Sequence, residues 1–204
     1  EGHLGGNLIN LHYTLENDNI QGYLASLINR VEENPNIKIF TDSTVKAING
    51  YVGNYESTVR DGISESMIEH GTIIVATGAN ELKPDEYLYG KNEKVITQLE
   101  LEKKIADGGP VGKTVVMIQC VGSRDEERPY CSRVCCTEAV KNAIKIKDAD
   151  PDTQIFIIFR DIRTYGFKEK AYEEARERGV IFIRYDVDGR PLVESVDGVL
   201  QVRI

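Results

Sequence analysis

The 204-residue chain has no tryptophan, two methionines and six prolines, and only three histidines, at positions 3, 12 and 70. Histidines so scattered form no pair with metal-ligand or catalytic spacing, so surface or packing roles are expected for them. Positive charge is also short. With 25 Lys and Arg against 33 Asp and Glu, the net charge is −8, which argues against general binding to nucleic acid or to anionic membranes. No apolar run approaches the roughly 20 residues that cross a bilayer, and the first residues do not read as a signal peptide. No membrane span and a cytoplasmic location are therefore expected. The chain opens on Glu rather than Met, which reads as a piece of something longer. A content of 41% hydrophobic and 28% charged residues excludes a wholly disordered chain and suits one large domain or two small ones.

Cysteine is missing everywhere except one short stretch. All four cysteines, at 120, 131, 135 and 136, fall within 17 residues in the pattern C-x10-C-x3-C-C. A disulfide scaffold spreads its cysteines to staple distant loops, and an adjacent pair makes a strained bridge. Four thiolates at one place suit an iron–sulfur cubane or an all-cysteine zinc site. Structural zinc usually takes two short Cys-x-x-Cys-like knuckles, and only one is present, so the spacing favours iron–sulfur. Zinc and free or redox-active thiols remain open. The flanks add context. Lys113–Gln119 is a short β-branched apolar run, read as a buried parallel strand. After Cys136, Ala139, Val140, Ala143 and Ile144 recur at helical spacing. Cys120 then ends a strand while Cys135 and Cys136 open a helix, whose positive dipole end favours thiolates. A dinucleotide fold puts its Gly-rich phosphate loop at such a place, but here only Gly122 remains. Arg124, Arg128 and Arg133 interleave with Asp125, Glu126 and Glu127 close by. They read either as donors to an anionic cluster or as solvated loop charges.

Elsewhere, Gly5-Gly6 permits a tight turn or a close approach to a ligand. Asp18 is a candidate cap for a helix to about Glu33, with Ile20, Tyr23, Leu24, Leu27, Ile28 and Val31 as its core stripe, and Asn34-Pro35 as its stop. Ile37–Phe40 reads as a short strand. Residues 44–76 read as an antiparallel meander with strands at Thr44–Tyr51, Tyr55–Val59, Ser64–Ile68 and Thr72–Ala76, turning at Gly53-Asn54, Asp61-Gly62 and His70-Gly71. Residues 81–111 link this to a second part and hold a helix at about Gln98–Ala106. From Lys113 the pattern is β-α-β-α-β, which implies parallel strands. A hairpin around Asp197-Gly198 follows. Asp161, Arg163, Thr164, Tyr165 and Gly166 sit just past the second parallel strand, where open α/β sheets bind ligands.

The stretch Gln119-Cys-Val-Gly-Ser-Arg-Asp125, continued by Tyr130-Cys-Ser-Arg-Val-Cys-Cys136, resembles the A subunit of heterodisulfide reductase and its bacterial relatives. Asp161-Ile-Arg-Thr-Tyr-Gly166, Gly50-Tyr-Val-Gly-Asn54 and Val95-Ile-Thr-Gln-Leu-Glu100 are similar to that family too. Gly5-Gly6 and Ala76-Thr-Gly-Ala79 resemble the wider thioredoxin-reductase-like flavoproteins. The resemblance implies FAD and several iron–sulfur clusters in a multi-subunit electron-transfer complex, with ferredoxin or similar carriers as partners. It implies that Cys120, Cys131, Cys135 and Cys136 ligate one 4Fe–4S cluster. Gly5, Gly6 and Asn7 would lie near the flavin, Val45 near the adenine, and Thr77 and Gly78 would line the FAD site. The implied fold is α/β. Residues 1–95 would be a partial FAD-binding Rossmann-like domain with the meander, 96–112 a linker, and 113–204 a degenerate NAD(P)-binding-like βαβαβ domain. The family's G-x-G-x-x-G segment is not in the chain, so weak or absent FAD binding is expected. Two other functions stay open: a non-enzymatic docking module with a structural four-cysteine metal site, and a thiol redox protein using Cys135-Cys136.

Overall fold

A computed structural model describes residues 2–204, and Glu1 lies outside the described residues. The chain forms two compact units. One is Glu1–His12 with Asn19–Asn80; the other is Tyr13–Asp18 with Glu81–Ile204.

In the first unit a 3-10 turn, Gly6–Asn10, precedes helix α1, Ile20–Glu32. The cap of α1 is Asn19, whose side chain accepts the Gly22 N–H at 2.9 Å. Asp18, the expected cap, is taken up in a local turn in which its carboxylate accepts the Thr14 hydroxyl at 2.9 Å. Of the apolar stripe of α1 only Ile20 and Leu24 are buried, and Tyr23 is 61% exposed. Strands β1 (Ser43–Tyr51), β2 (Asn54–Asp61) and β3 (Ser64–His70) form an antiparallel meander at two of the three expected turns. The β1–β2 hairpin closes beside Gly50, which has φ +94°, and a Cβ there would run into the Asn54 carbonyl oxygen.

Two expected strands differ. Thr72–Ala76 and Ile37–Phe40 belong to no sheet among the described residues. Their β-branched side chains favour extended backbone, but a strand also needs a neighbour's free edge. Gly53 donates its N–H to the Gly71 carbonyl at 2.9 Å, and pairing stops there as the chain leaves β3. Ile74 is left 87% exposed.

In the second unit, β4 (Thr114–Ile118), β5 (Gln154–Phe159) and β6 (Ile181–Arg184) form a parallel sheet in sequence order. Helix α2, Gln98–Ala106, precedes this sheet, and helices α3 (Cys135–Ala149) and α4 (Glu169–Glu177) make the crossovers, as the alternating pattern requires. Ala139, Val140, Ala143 and Ile146 of α3 are buried in one cluster with Met117, Ile155, Ile157, Ala175 and Val180. Helix α2 enters this core through Leu101. It starts on a capping box: the Thr97 hydroxyl accepts the Glu100 N–H, and the Glu100 carboxylate accepts the Thr97 N–H at 2.8 Å. The helix expected at about Gln98–Ala106 thus forms and packs within the second unit. Tyr13 joins the same unit by donating its hydroxyl to Asn142 at 2.9 Å, with the Lys141 ammonium against its ring and carbonyl. Strands β7 (Leu192–Val196) and β8 (Val199–Arg203) form the expected C-terminal hairpin. Among the described residues no helix is long and apolar enough to cross a membrane.

Gly50→Ala meets both an unfavourable φ and the Asn54 oxygen, so we expect a loss of about 1–3 kcal/mol in urea unfolding. Gly53→Ala has φ +92° and open space around it, so it loses only about 1 kcal/mol. Equal losses would show that the close approach at Gly50 is unimportant.

Candidate metal centre

The site is built where β4 ends and α3 begins. Gln119, the residue after β4, stays tied to the sheet: its N–H donates to the Ile158 carbonyl at 2.9 Å, and its own carbonyl accepts the Tyr185 hydroxyl at 2.9 Å. Cys120 then turns sharply out of the strand with φ +63°. Arg124 and Arg133 adopt the same left-handed region, at φ +60° and +64°, so the connecting loop holds three strained non-glycine residues. The chain enters α3 at Cys135 without a side-chain cap. The first helical N–H groups of α3 are therefore not met by a capping side chain, and the positive end of its dipole lies at Cys135 and Cys136.

Cys120, Cys135 and Cys136 are brought together. The Cys135 sulfur accepts the Cys136 thiol, the Ser132 hydroxyl and the backbone N–H of Cys120. The Cys136 hydrogen bond, aided by the others and opposed by burial, pulls Cys135 well below the ordinary thiol range. Cys136 is raised for the reciprocal reason, because its proton is held in that bond and the residue is buried. Burial likewise pushes the Cys120 thiol up. Cys131 lies on the intervening loop, where its sulfur accepts the Arg133 N–H at 3.3 Å. All four thiols are free of disulfides. Among the described residues, no three His, Cys, Asp or Glu side chains converge tightly enough to chelate one ion.

The residues expected around the cysteines divide in role. Arg124 bridges the two sides, with one guanidinium nitrogen 3.8 Å from the Cys120 sulfur and another 2.6 Å from the Asp161 carboxylate. Arg128 turns instead to the Gly122 carbonyl and Glu127. The segment after β5 closes over Cys136: the Asp161 carbonyl oxygen lies 3.6 Å from its sulfur, and the Arg163 N–H points at that sulfur. The position at a carboxyl strand end was legible; contact with Cys136 was not. Sequence reasoning missed Gln119, a buried amide directly after the apolar run of residues 115–118, and that contrast was the available clue.

The residues expected near a flavin lie in the first unit. Asn7 donates its side-chain amide to the Ala79 carbonyl, which brings Gly5–Asn7 alongside Thr77 and Gly78. Gly5, Gly6 and Gly78 all have positive φ, and Asn7, Thr77 and Gly78 are exposed. Val45 is 55% exposed on β1, at the bulge before Ala47. Of the histidines, His70 takes a packing role: it hydrogen-bonds Ser57 at 2.7 Å and stacks on Tyr55.

In the metal-free chain, iodoacetamide should label Cys135 well below the pH at which ordinary thiols react, while Cys136 stays unlabelled. Cys136→Ala should return Cys135 to the ordinary range, as read by peptide mass mapping. Unchanged labelling of Cys135 in that variant would remove the hydrogen bond as the cause.

No protein-family model matches the chain. Curated proteins do. The A subunit of the H(2):CoB-CoM heterodisulfide,ferredoxin reductase of Methanothermobacter marburgensis is 45% identical over 160 residues, covering 68% of this chain and 24% of that protein. The A subunit of the H(2)/formate:CoB-CoM heterodisulfide,ferredoxin reductase of Methanococcus maripaludis is 46% identical over 149 residues, covering 62% of this chain and 22% of that protein. The iron–sulfur A subunit of the CoB--CoM heterodisulfide reductase of Methanocaldococcus jannaschii is 44% identical over 146 residues, covering 62% and 22%. By these matches the chain belongs to the family of heterodisulfide reductase A subunits, and it spans about a quarter of the length of the curated relatives it matches.

Proposed function

We propose that the chain is the cluster-bearing segment of a flavin and iron–sulfur oxidoreductase that relays electrons between FAD and iron–sulfur partners. The observation that carries this is the gathering of Cys120, Cys135 and Cys136 between a strand end and a helix start, with Arg124 against one sulfur. The donor set fits a cubane. It is all cysteine sulfur, one thiol is already acidic, and a cubane spreads its ligands over four irons, so it asks for less convergence than a single ion. Cys120, Cys131, Cys135 and Cys136 would hold it, and bound there it would supply one-electron transfer. Arg124 and the α3 N-terminus offset the negative charge of four thiolates, and the loop after β5 covers Cys136 from solvent.

The second unit then reads as a nucleotide-type domain whose phosphate loop is replaced by the cysteine loop. The first unit reads as part of a FAD-binding domain. Gly5, Gly6, Asn7, Thr77 and Gly78 would form its flavin-facing edge, with Val45 towards the adenine. Other subunits of a heterodisulfide reductase-like complex and ferredoxin-type carriers are the proposed partners. The names of the relatives support this, since they mention ferredoxin and iron–sulfur.

Anaerobic reconstitution with ferrous iron and sulfide should load four irons and four sulfides per chain, the content of one cubane. Cys131→Ser should abolish that uptake. Stoichiometric zinc retained without sulfide, or iron uptake indifferent to Cys131→Ser, would overturn the assignment. FAD should show no saturable binding in the micromolar range, because no Gly-rich phosphate loop in this chain faces Gly5–Asn7 and Thr77-Gly78. Fluorescence titration with FAD checks this, and saturation would contradict it.

A further inference from the structure

We propose that the side-chain amide of Gln119 and the hydroxyl of Thr164 donate hydrogen bonds to the sulfur of the centre held by the four cysteines and so raise its reduction potential. This rests on the cluster reading above. Gln119 is 2% exposed and Thr164 is 1% exposed, yet Gln119 Nε2 and Thr164 Oγ1 have no hydrogen-bond partner. Buried polar groups are almost always paired, so two orphans beside one site call for an acceptor there.

Their placement points to the cysteines. Side chains alternate along a strand, so Gln119 shares a face with Met117. Met117 packs in the core with Ala139, Val140 and Ala143 of α3. A single helix joining two parallel strands must run back along them, so α3 begins at the level where β4 ends. Gln119 therefore lies under the first turn of α3, where Cys135 and Cys136 sit. Thr164 comes from the other side. It follows Arg163, whose N–H points at the Cys136 sulfur, and Asp161, whose carbonyl oxygen lies 3.6 Å from that sulfur. Thr137, next to Cys136, contributes a third buried hydroxyl without a partner.

Other roles for Gln119 are already filled by its backbone, whose N–H and carbonyl are both satisfied by Ile158 and Tyr185. The side chain does nothing for the sheet that leucine could not do. An uncharged donor aimed at cluster sulfur stabilises the more negative, reduced state, which raises the potential. Neither group titrates in the ordinary pH range, so this contribution is independent of pH.

The test uses the full chain reconstituted anaerobically with iron and sulfide. Gln119→Leu and Thr164→Val should keep the parent iron and sulfide content, while their midpoint potentials shift negative. Thr164→Ser, which keeps the hydroxyl, should retain the parent potential. Unmoved potentials at full iron content would overturn the proposal, as would a Thr164→Ser shift equal to that of Thr164→Val. A measurement without substitution guards against misfolding. With side-chain 15N-glutamine labelling, the reduced centre should show a 15N hyperfine coupling in pulsed EPR, and its absence would overturn the role of Gln119. A parent chain that takes up no iron would instead overturn the cluster reading itself.

Discussion

The burial of Ala139, Val140, Ala143 and Ile146 against the parallel sheet decides where the rest of the second unit lies. These side chains seat one face of α3 on β4 and β5, and the helix then has no freedom to slide or rotate. Its two leading residues are cysteines, so the same apolar contact that stabilises the domain also aims Cys135 and Cys136 at Cys120. Close packing makes this placement stiff: a shift of one helical residue would rotate both thiols by about 100° away from the strand end.

Around that frame, polar groups are arranged in two layers. Away from the cysteines along α3, Lys141 is buried between Glu102 and Glu138, at 2.6 and 3.0 Å. Burial, reinforced by Glu102, holds the Glu138 carboxyl above the usual carboxylate range. This ionic cluster ties α2 and the Tyr13 segment to α3, and its desolvation makes it a specifier of register more than a source of net stability. On the cysteine side, Arg124 links Cys120 to Asp161 across the mouth of the sheet. The guanidinium keeps Asp161 charged, with its carboxyl below the ordinary range, and is itself a fixed positive charge beside the thiols.

Legibility in the sequence followed the range of the forces involved. The helix at Gln98–Ala106 was readable because its capping box and apolar spacing are local. The β-α-β-α-β order was readable from alternating periods, and the hairpins from Asn, Asp and Gly at their turns. Thr72–Ala76 reads as a strand but is not one, because β-branched composition reports a preference for extended backbone, whereas hydrogen-bonded pairing depends on another edge being present. The cap at Asn19 rather than Asp18 turned on which side chain Thr14 had already engaged. The burial of the α1 stripe likewise depended on what packs against it: Ile20 and Leu24 are buried, Leu27, Ile28 and Val31 are half-buried, and Tyr23 is exposed.

By itself the sequence determined that four thiols would lie on one loop between a buried strand and an amphipathic helix, since spacing and periodicity are properties of the chain. It also determined the chemical softness of the site and its kinship. Only the tertiary structure decided that Cys120, Cys135 and Cys136 meet while Cys131 stays on the loop. It alone decided that Asp161 and Arg163 close over Cys136, and that Gln119 and Thr164 are buried with side-chain donors unpaired. Those facts depend on the direction of α3 across the sheet and on which residues lose water when it docks. Both follow from long-range packing, which no local pattern of residues encodes.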